Sequence, residues 1–197
     1  MADGRKPDGL RHVLVASLAR LRVALGFVFG VLALVLARPS GRSLLVGMSI
    51  AAGGEAIRIW AAGHLRKSRE VTVSGPYRWC PHPLYVGSSV MGAGLAGAAA
   101  SVPVAVLIGI YLAATLTAAI KSEEAFLRRT FGDQYDLYRC GVAAQRRDGA
   151  AARRRFSLDQ ALANREYRAV AGLAIVILLL IWKATYNGLF WRAAGSR

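Results

Sequence analysis

The chain has 197 residues, of which 55% are hydrophobic, and its formal net charge at pH 7 is +15. Soluble domains this basic usually bind nucleic acid, but here the charges lie between long apolar runs, as they do in the loops of membrane proteins. The composition therefore favours an integral membrane protein and argues against a nucleic-acid partner. A cleaved signal peptide is not expected, because the first apolar run lacks a small-residue cleavage site.

Five apolar runs approach the roughly 20 residues that a membrane-spanning helix needs. The second run carries Glu55 and Arg58, which at positions i and i+3 can pair with each other and are candidates for function as well as for structure. The third and fourth runs meet at Ser101, Val102 and Pro103, where a turn costs little, and should form a hairpin. The expected fold is all-α, an integral membrane bundle of about five transmembrane helices. The five predicted spans cover residues 23–37, 44–63, 84–100, 102–120 and 169–186.

The distribution of basic residues predicts the orientation in the membrane. With five spans, residues 1–22, 64–83 and 121–168 share one face and hold 20 of the 26 Lys and Arg residues. The positive-inside rule then places this face, with the N-terminus, in the cytosol of an inner or cytoplasmic-type membrane. Cys80 and Cys140 fall on this reducing side, where no disulfide is expected. The spacing of the cysteines and histidines predicts no metal site.

The chain is interpreted as a single membrane domain over residues 1–197. Within it we expect a cofactor-binding core over 65–139, a basic cytosolic linker and helix over 140–168, and a C-terminal transmembrane helix over 169–187. The cytosolic helix would begin after Ser157 as N-cap, with Gln160 three residues later completing a capping box. The basic residues of this segment would lie either against anionic lipid headgroups or in a solvated loop.

A polar, aromatic stretch precedes the third span: Gly75-Pro-Tyr-Arg-Trp-Cys-Pro-His-Pro-Leu-Tyr-Val-Gly87. Within it, His82 lies between Pro81 and Pro83. Each proline fixes its own φ angle and biases the preceding residue toward extended conformations, so His82 should be held rigidly just before the span. The surrounding Tyr and Trp residues indicate either an aromatic belt at the membrane interface or a pocket for a flat heterocycle.

Glu123 and Glu124 begin the polar segment that follows the fourth span. Acidic residues are favoured at the start of a helix by its dipole, which accounts for one of the two. A two-helix hairpin returns the chain to the membrane face that it left, so His82 and Glu123 should meet at that face. A carboxylate at this place could bind a cationic or hydroxyl-bearing ligand.

These residues occur in a recognisable order. Gly75-x-Tyr77-x-x-x-x-His82-Pro83-x-Tyr85-x-Gly87, a hydrophobic hairpin, Glu123-Glu124 and Phe131-Gly132-x-x-Tyr135-x-x-Tyr138 resemble the isoprenylcysteine carboxyl methyltransferase family, which is related to the membrane phospholipid methyltransferases. The match covers about residues 65–139. The ordered combination is specific, whereas any one of its pieces would be weak.

The resemblance implies S-adenosyl-L-methionine as methyl donor, a helical membrane fold and a donor pocket open to the cytosol. It also implies a lipophilic acceptor, a small molecule or a prenylated one, reached among the membrane lipids, and no metal. His82 and Glu123 would be catalytic if the acceptor is an amine that must lose a proton; a carboxylate acceptor needs no base. Carried over by position, the residues along the donor and around its pocket are Glu70, Val71, Thr72, Tyr77, His82, Pro83, Leu84, Tyr85, Glu123 and Glu124.

Two positions depart from the family pattern. Pro81 stands where the family usually has Arg, and Lys121 and Thr117 occupy the region before Glu123 where the family tends to place an Arg that orients the acceptor. Lys121 is therefore a further catalytic candidate, or else an anchor for the end of the fourth span in the headgroups.

Two other functions stay open. One is an NADPH-dependent membrane reductase of the sterol or steroid type, although Tyr85-Val-Gly-Ser lacks the Asn and the acid of that motif. The other is a non-catalytic membrane scaffold or sensor with a decayed site, which Pro81 favours.

Overall fold

The computed structural model describes residues 28–67, 69–139 and 154–187. In these ranges the regular secondary structure is entirely helical, and the predicted all-α class is confirmed. Helix α1 covers residues 28–36 of the described chain. The elements that follow are α2 (Gly41–Ala62), a 3₁₀ helix η1 (Gly75–Arg78), α3 (Pro83–Ala99), α4 (Val102–Phe131), α5 (Asp133–Arg139), α6 (Leu158–Ala163) and α7 (Tyr167–Tyr186).

Among the described residues, three helices are long and apolar enough to cross a membrane by length and composition: α2, α4 and α7. They correspond to the second, fourth and fifth predicted spans. Helix α3 coincides with the third predicted span but has only 17 residues, and the first predicted span begins outside the described residues. The structure therefore supports an integral membrane protein, while the number of five spans is not confirmed.

Helices α2 and α3 run antiparallel and pack through small residues. The backbone of Gly47 lies against Gly94 and Ala98, and that of Gly54 lies against Gly87 and Met91, with no room for a Cβ atom at either glycine. In a membrane, small residues allow helix backbones to approach closely. This pair fixes the start of α3, from which the site described below is built.

The predicted hairpin is present between α3 and α4. Ala100 ends α3 in a left-handed conformation with φ of 46°, and Ser101 precedes the first residue of α4. Helix α4 has 30 residues and is about 45 Å long at 1.5 Å per residue, which exceeds the roughly 30 Å of a hydrocarbon core. One helix therefore contains both the predicted fourth span and the segment that begins at Glu123, and it ends at Gly132.

The last part of the described chain returns to the end of α2. Most of the predicted basic linker, including residues 140–153, lies outside the described residues. The predicted N-cap is present, because Ser157 accepts a hydrogen bond from the Gln160 N–H at 3.3 Å, but α6 ends at Ala163 and is shorter than expected. Farther along, Lys183 in α7 donates hydrogen bonds to the carbonyl oxygens of Leu34 and Val35 at the end of α1.

Candidate functional site

A cavity of about 460 Å³ lies beside the C-terminal part of α4. This volume is within the range of small-molecule sites, roughly 300–1,000 Å³. Its walls come from the loop after α2, the start of α3, one face of α4, and α5. The lining residues are Leu65, Arg66, Lys67, Glu70, Val71, Thr72, Tyr77, Pro81, Leu84, Tyr85, Ala119, Ser122, Glu123, Phe126, Leu127, Tyr135 and Tyr138.

His82 is the N-cap of α3, with φ of −130° and ψ of 55°; it is not itself among the lining residues, although Pro81 and Leu84 on either side of it are. Its ring faces the two acidic residues of α4: Nδ1 lies 3.8 Å from Oε2 of Glu123, and Nε2 lies 3.6 Å from Oε1 of Glu124. The ring also packs against Tyr85, with centroids 5.6 Å apart. The predicted meeting of His82 with Glu123 across the hairpin is confirmed.

One face of α4 forms a wall of the cavity. Lining residues spaced three and four apart lie on one side of a helix, and Ala119, Glu123 and Phe126 have this spacing. Lys121, two residues before Glu123, is turned by about 200° around the helix axis, is exposed and does not line the cavity. The structure therefore does not bring Lys121 together with the other predicted site residues.

The loop after α2 forms the opposite wall, where the resemblance had located three donor residues. Val71 and Thr72 are buried, and the Thr72 hydroxyl accepts a hydrogen bond from the Arg66 N–H at 3.3 Å. Val71 packs in a small cluster with the fully buried Tyr135 of α5. Glu70 also lines the cavity and forms an ion pair with Arg154.

Tyrosines form the remaining wall. Tyr77 is buried, and burial raises the pKa of its phenol above the ordinary value, so it stays neutral at neutral pH. Burial likewise raises the pKa of Tyr138, whose hydroxyl donates a 2.7 Å hydrogen bond to the backbone carbonyl of Tyr77. Leu84 and Tyr85 line the cavity at the start of α3; Pro83 is buried there and only shapes it.

Several buried polar atoms at the site have no hydrogen-bond partner within the described part of the chain. They are the Tyr77 hydroxyl and both ring nitrogens of His82. A buried polar atom without a partner costs about 1–3 kcal/mol, which a polar ligand would offset. With the carboxylate of Glu123 and aromatic rings that attract cations, these residues suit a ligand that carries both a positive charge and hydrogen-bonding groups.

The sequence did not single out every residue of the cavity. Counting three and four residues from Glu123 along a helix would have found Ala119, Phe126 and Leu127. Arg66 and Lys67 carry no local signal, because charged residues between two spans are ordinary loop residues. Arg154 is 84 positions from Glu70 in the sequence and could be found only from the fold.

A second group of charged side chains, none of which lines this cavity, lies between α2, α3 and the start of α7. The predicted pair is present, with Nε of Arg58 3.3 Å from Oε2 of Glu55. Nη2 of Arg58 also lies 2.6 Å from Oε1 of Glu166, and Nη1 hydrogen-bonds the hydroxyl of Ser88. Glu55 and Glu166 are buried, so this group joins three helices inside the bundle.

The described residues contain no cluster of three or more His, Cys, Asp or Glu side chains that could hold a metal ion.

Comparison with known proteins gives the following matches. The chain is 35% identical over 96 residues to the nickel-cobalt-cadmium resistance protein NccN of Alcaligenes xylosoxydans xylosoxydans, an alignment that covers 48% of this chain and 43% of that protein. It is 34% identical over 89 residues to the cobalt-zinc-cadmium resistance protein CzcN of Cupriavidus metallidurans, covering 44% of this chain and 40% of that protein. The chain thus spans less than half the length of either relative. No solved structure matches.

A family model described as phospholipid methyltransferase matches residues 22–134. This range is more than half of the chain and contains the α3–α4 hairpin with His82, Glu123 and Glu124. The chain belongs to the phospholipid methyltransferase family.

Proposed function

We propose that this protein is a membrane methyltransferase that uses S-adenosyl-L-methionine to methylate a lipophilic acceptor, an isoprenylcysteine-type carboxylate or a related lipid. The observation that carries the proposal is the meeting of His82 with Glu123 and Glu124 beside a cavity of about 460 Å³, in a chain of a methyltransferase family. When bound, the donor supplies a methyl group on a positively charged sulfur, which becomes a neutral thioether after transfer.

The walls of the cavity supply the contacts that such a donor needs. Glu123 would provide a negative charge, and the aromatic rings of Tyr77 and Tyr85, which line the cavity, would provide cation–π attraction for a positively charged sulfur, worth about 0.5–2 kcal/mol. Val71 and Leu84 give apolar surface for a heterocycle, and the Tyr77 hydroxyl, which has no hydrogen-bond partner among the described residues, would gain one from a bound ligand.

The acceptor would enter from the bilayer side. Leu84 and Ala119 line the cavity and belong to the two helices of the hairpin, so the cavity borders the membrane-embedded part of the molecule. Positioning of two reactants can contribute about 7–11 kcal/mol to a transfer reaction. A carboxylate acceptor forms its new C–O bond without losing a proton, whereas for an amine acceptor His82 or Glu123 would take the proton.

We further propose that the cavity faces the cytosol. The loop after α2 and the polar end of α4 carry Arg66, Lys67 and Lys121, which belong to the basic face of the chain. The positive-inside rule assigns such a face to the cytosol.

A transfer assay tests this function. Purified protein in lipid nanodiscs is incubated with methyl-labelled S-adenosyl-L-methionine and either a prenylcysteine or a phosphatidylethanolamine acceptor, and the label in the extracted lipid phase is counted. We expect time-dependent labelling of one acceptor class, and we expect Glu123→Gln to abolish it. The matched control is Asp136→Asn, which removes an exposed carboxylate outside the cavity and should leave the labelling intact. Binding of NADPH with no donor binding would instead support the reductase alternative.

A further inference from the structure

Glu70, a residue that lines the cavity, forms an ion pair with Arg154, which is not itself among the lining residues. Nη1 of Arg154 contacts Oε1 of Glu70, and Nη2 lies 3.4 Å from Oε2, so the guanidinium faces the carboxylate with both of its terminal nitrogens. The two side chains are 24% and 34% exposed. They are therefore neither sealed in the interior nor free in solvent, and Glu70 itself lines the cavity.

Arg154 belongs to a segment that is held in place by contacts other than its ion pair with Glu70. We call residues 154–164 the strap. The strap is attached to the end of α2 and the loop after it: the Ser157 N–H donates to the Gly63 carbonyl at 3.2 Å, and the Asn164 amide donates to the carbonyls of Ala62 and Leu65 at 2.7 and 2.9 Å. These contacts hold the strap without the ion pair.

The Phe156 ring adds to this attachment. Its centroid lies 6.1 Å from that of His64, and its edge fills the space where a side chain at Gly63 would lie. Since partly exposed ion pairs stabilise a fold by only about 0–1 kcal/mol, the pair of Arg154 with Glu70 is a minor contribution to folding. Because the pair adjoins the cavity through Glu70, a role in ligand binding accounts for it better than a role in folding.

A carboxylate and a guanidinium side by side match one particular chemical structure, the charged end of an α-amino acid. The ammonium and the carboxylate of an α-amino acid are attached to a single carbon atom. A site for them therefore needs an anionic group that accepts hydrogen bonds from the ammonium, next to a cationic group that donates hydrogen bonds to the carboxylate. Carboxylate and guanidinium are these two groups, and the guanidinium can bind a carboxylate through two parallel hydrogen bonds.

We propose that Glu70 and Arg154 form the subsite for the amino-acid end of the methyl donor, an inference that rests on the proposed function. The Glu70 carboxylate accepts hydrogen bonds from the ligand ammonium, and the Arg154 guanidinium donates to the ligand carboxylate. The ligand binds alongside the pair rather than between its partners, because a carboxylate and a guanidinium can each form more hydrogen bonds than the two that join them. Arg154 belongs to the strap and lies beyond residues 22–134, which the family model matches.

Calorimetric titration with three probes tests the subsite. S-adenosyl-L-methionine and S-adenosylhomocysteine carry the amino-acid end, and 5′-methylthioadenosine lacks it. We expect Arg154→Gln and Glu70→Gln each to weaken the first two ligands about tenfold or more, the loss of a charge-assisted hydrogen bond, and to change the affinity for 5′-methylthioadenosine less than about twofold. Arg154→Lys keeps the charge but not the planar fork and should give an intermediate loss.

The matched control is Arg155→Gln, which removes the same charge from the next, exposed residue of the strap and should leave all three affinities unchanged. Unchanged affinity of Arg154→Gln for both amino-acid ligands would overturn the subsite while leaving the proposed function standing. Equal weakening of all three ligands would also overturn it, because Arg154 would then only hold the wall of the cavity. If the parent protein bound none of the three probes, the proposed function would fall and the subsite with it. Arg154→Lys and Glu70→Gln, checked by thermal unfolding, decide the matter if Arg154→Gln does not fold.

Discussion

At the scale of single residues, the cavity is marked by polar atoms that burial has separated from water. The flanking prolines hold His82 outside the regular part of α3, and its ring reaches the carboxylates of α4. That arrangement follows from the local sequence, since Pro-His-Pro excludes a regular helix. Tyr77 was expected at the pocket from its position in the motif, but the missing partner of its hydroxyl is visible only in the folded chain.

Tyr77→Phe should lower the affinity for the ligand without lowering the stability of the fold. The buried hydroxyl has no hydrogen-bond partner in the described part of the protein, so removing it should leave the ligand-free protein equally stable or more stable by up to about 1–3 kcal/mol. The affinity for S-adenosyl-L-methionine should fall, because the ligand loses a hydrogen bond. Thermal unfolding and calorimetry measure the two effects. A less stable variant with unchanged affinity would show that the hydroxyl serves the fold.

At the scale of helices, the α2–α3 pair depends on glycines at the contact. A Cβ atom at Gly54 would overlap the backbone of Met91, which cannot move away as a flexible side chain would, whereas a Cβ atom at Gly53 meets nothing within 4 Å. Gly54→Ala should therefore lower the free energy of unfolding by about 1–3 kcal/mol. Gly53→Ala, its neighbour on the same helix, should be neutral or stabilising, since alanine is the better helix former. Equal effects of the two substitutions in detergent unfolding would contradict this packing.

The buried group around Arg58 joins helices rather than lining the cavity. Arg58→Met would leave the carboxylates of Glu55 and Glu166 buried without their cation, and breaking such a group costs about 3–5 kcal/mol. The matched control is Arg128→Met, which breaks an exposed pair with Asp136 at 3.3 Å and should cost less than about 1 kcal/mol. Unfolding monitored by circular dichroism in the same detergent compares them. Similar losses would mean that the Arg58 group is accessible to water.

The hairpin and the Glu55–Arg58 pair could be predicted because both are local in sequence: one rests on the length of an uncharged run, the other on an i, i+3 spacing. Glu166 and Arg154 could not be predicted in the same way. Each belongs to a charged segment in which every residue is able to face solvent. Glu166 meets Arg58, and Arg154 meets Glu70, only because the chain returns to the end of α2 in the fold. The length of α4 was also underestimated, because helix propensity continues past the membrane boundary where hydropathy stops.

At the scale of the whole molecule, the cavity and the basic loops lie at the same end of the hairpin. Cys80, a half-buried free cysteine in the loop before α3, should therefore be cytosolic. In a Cys140→Ser background, a membrane-impermeant thiol reagent should leave Cys80 unmodified in intact cells and label it in inverted vesicles. Cys140 itself lies outside the described residues. Labelling of Cys80 from outside the cell would reverse the proposed orientation.

Donor binding at the cavity beside His82 and Glu123 is measured most directly by calorimetric titration of the purified protein with S-adenosyl-L-methionine. We expect saturable binding with one site per chain. His82→Ala and Glu123→Ala should each weaken the binding about tenfold or more, because a charge-assisted hydrogen bond is worth roughly 1.5–3 kcal/mol. Asp136→Asn should bind as the parent does. Parent protein that does not bind the donor, or full affinity in both cavity variants, would contradict the account.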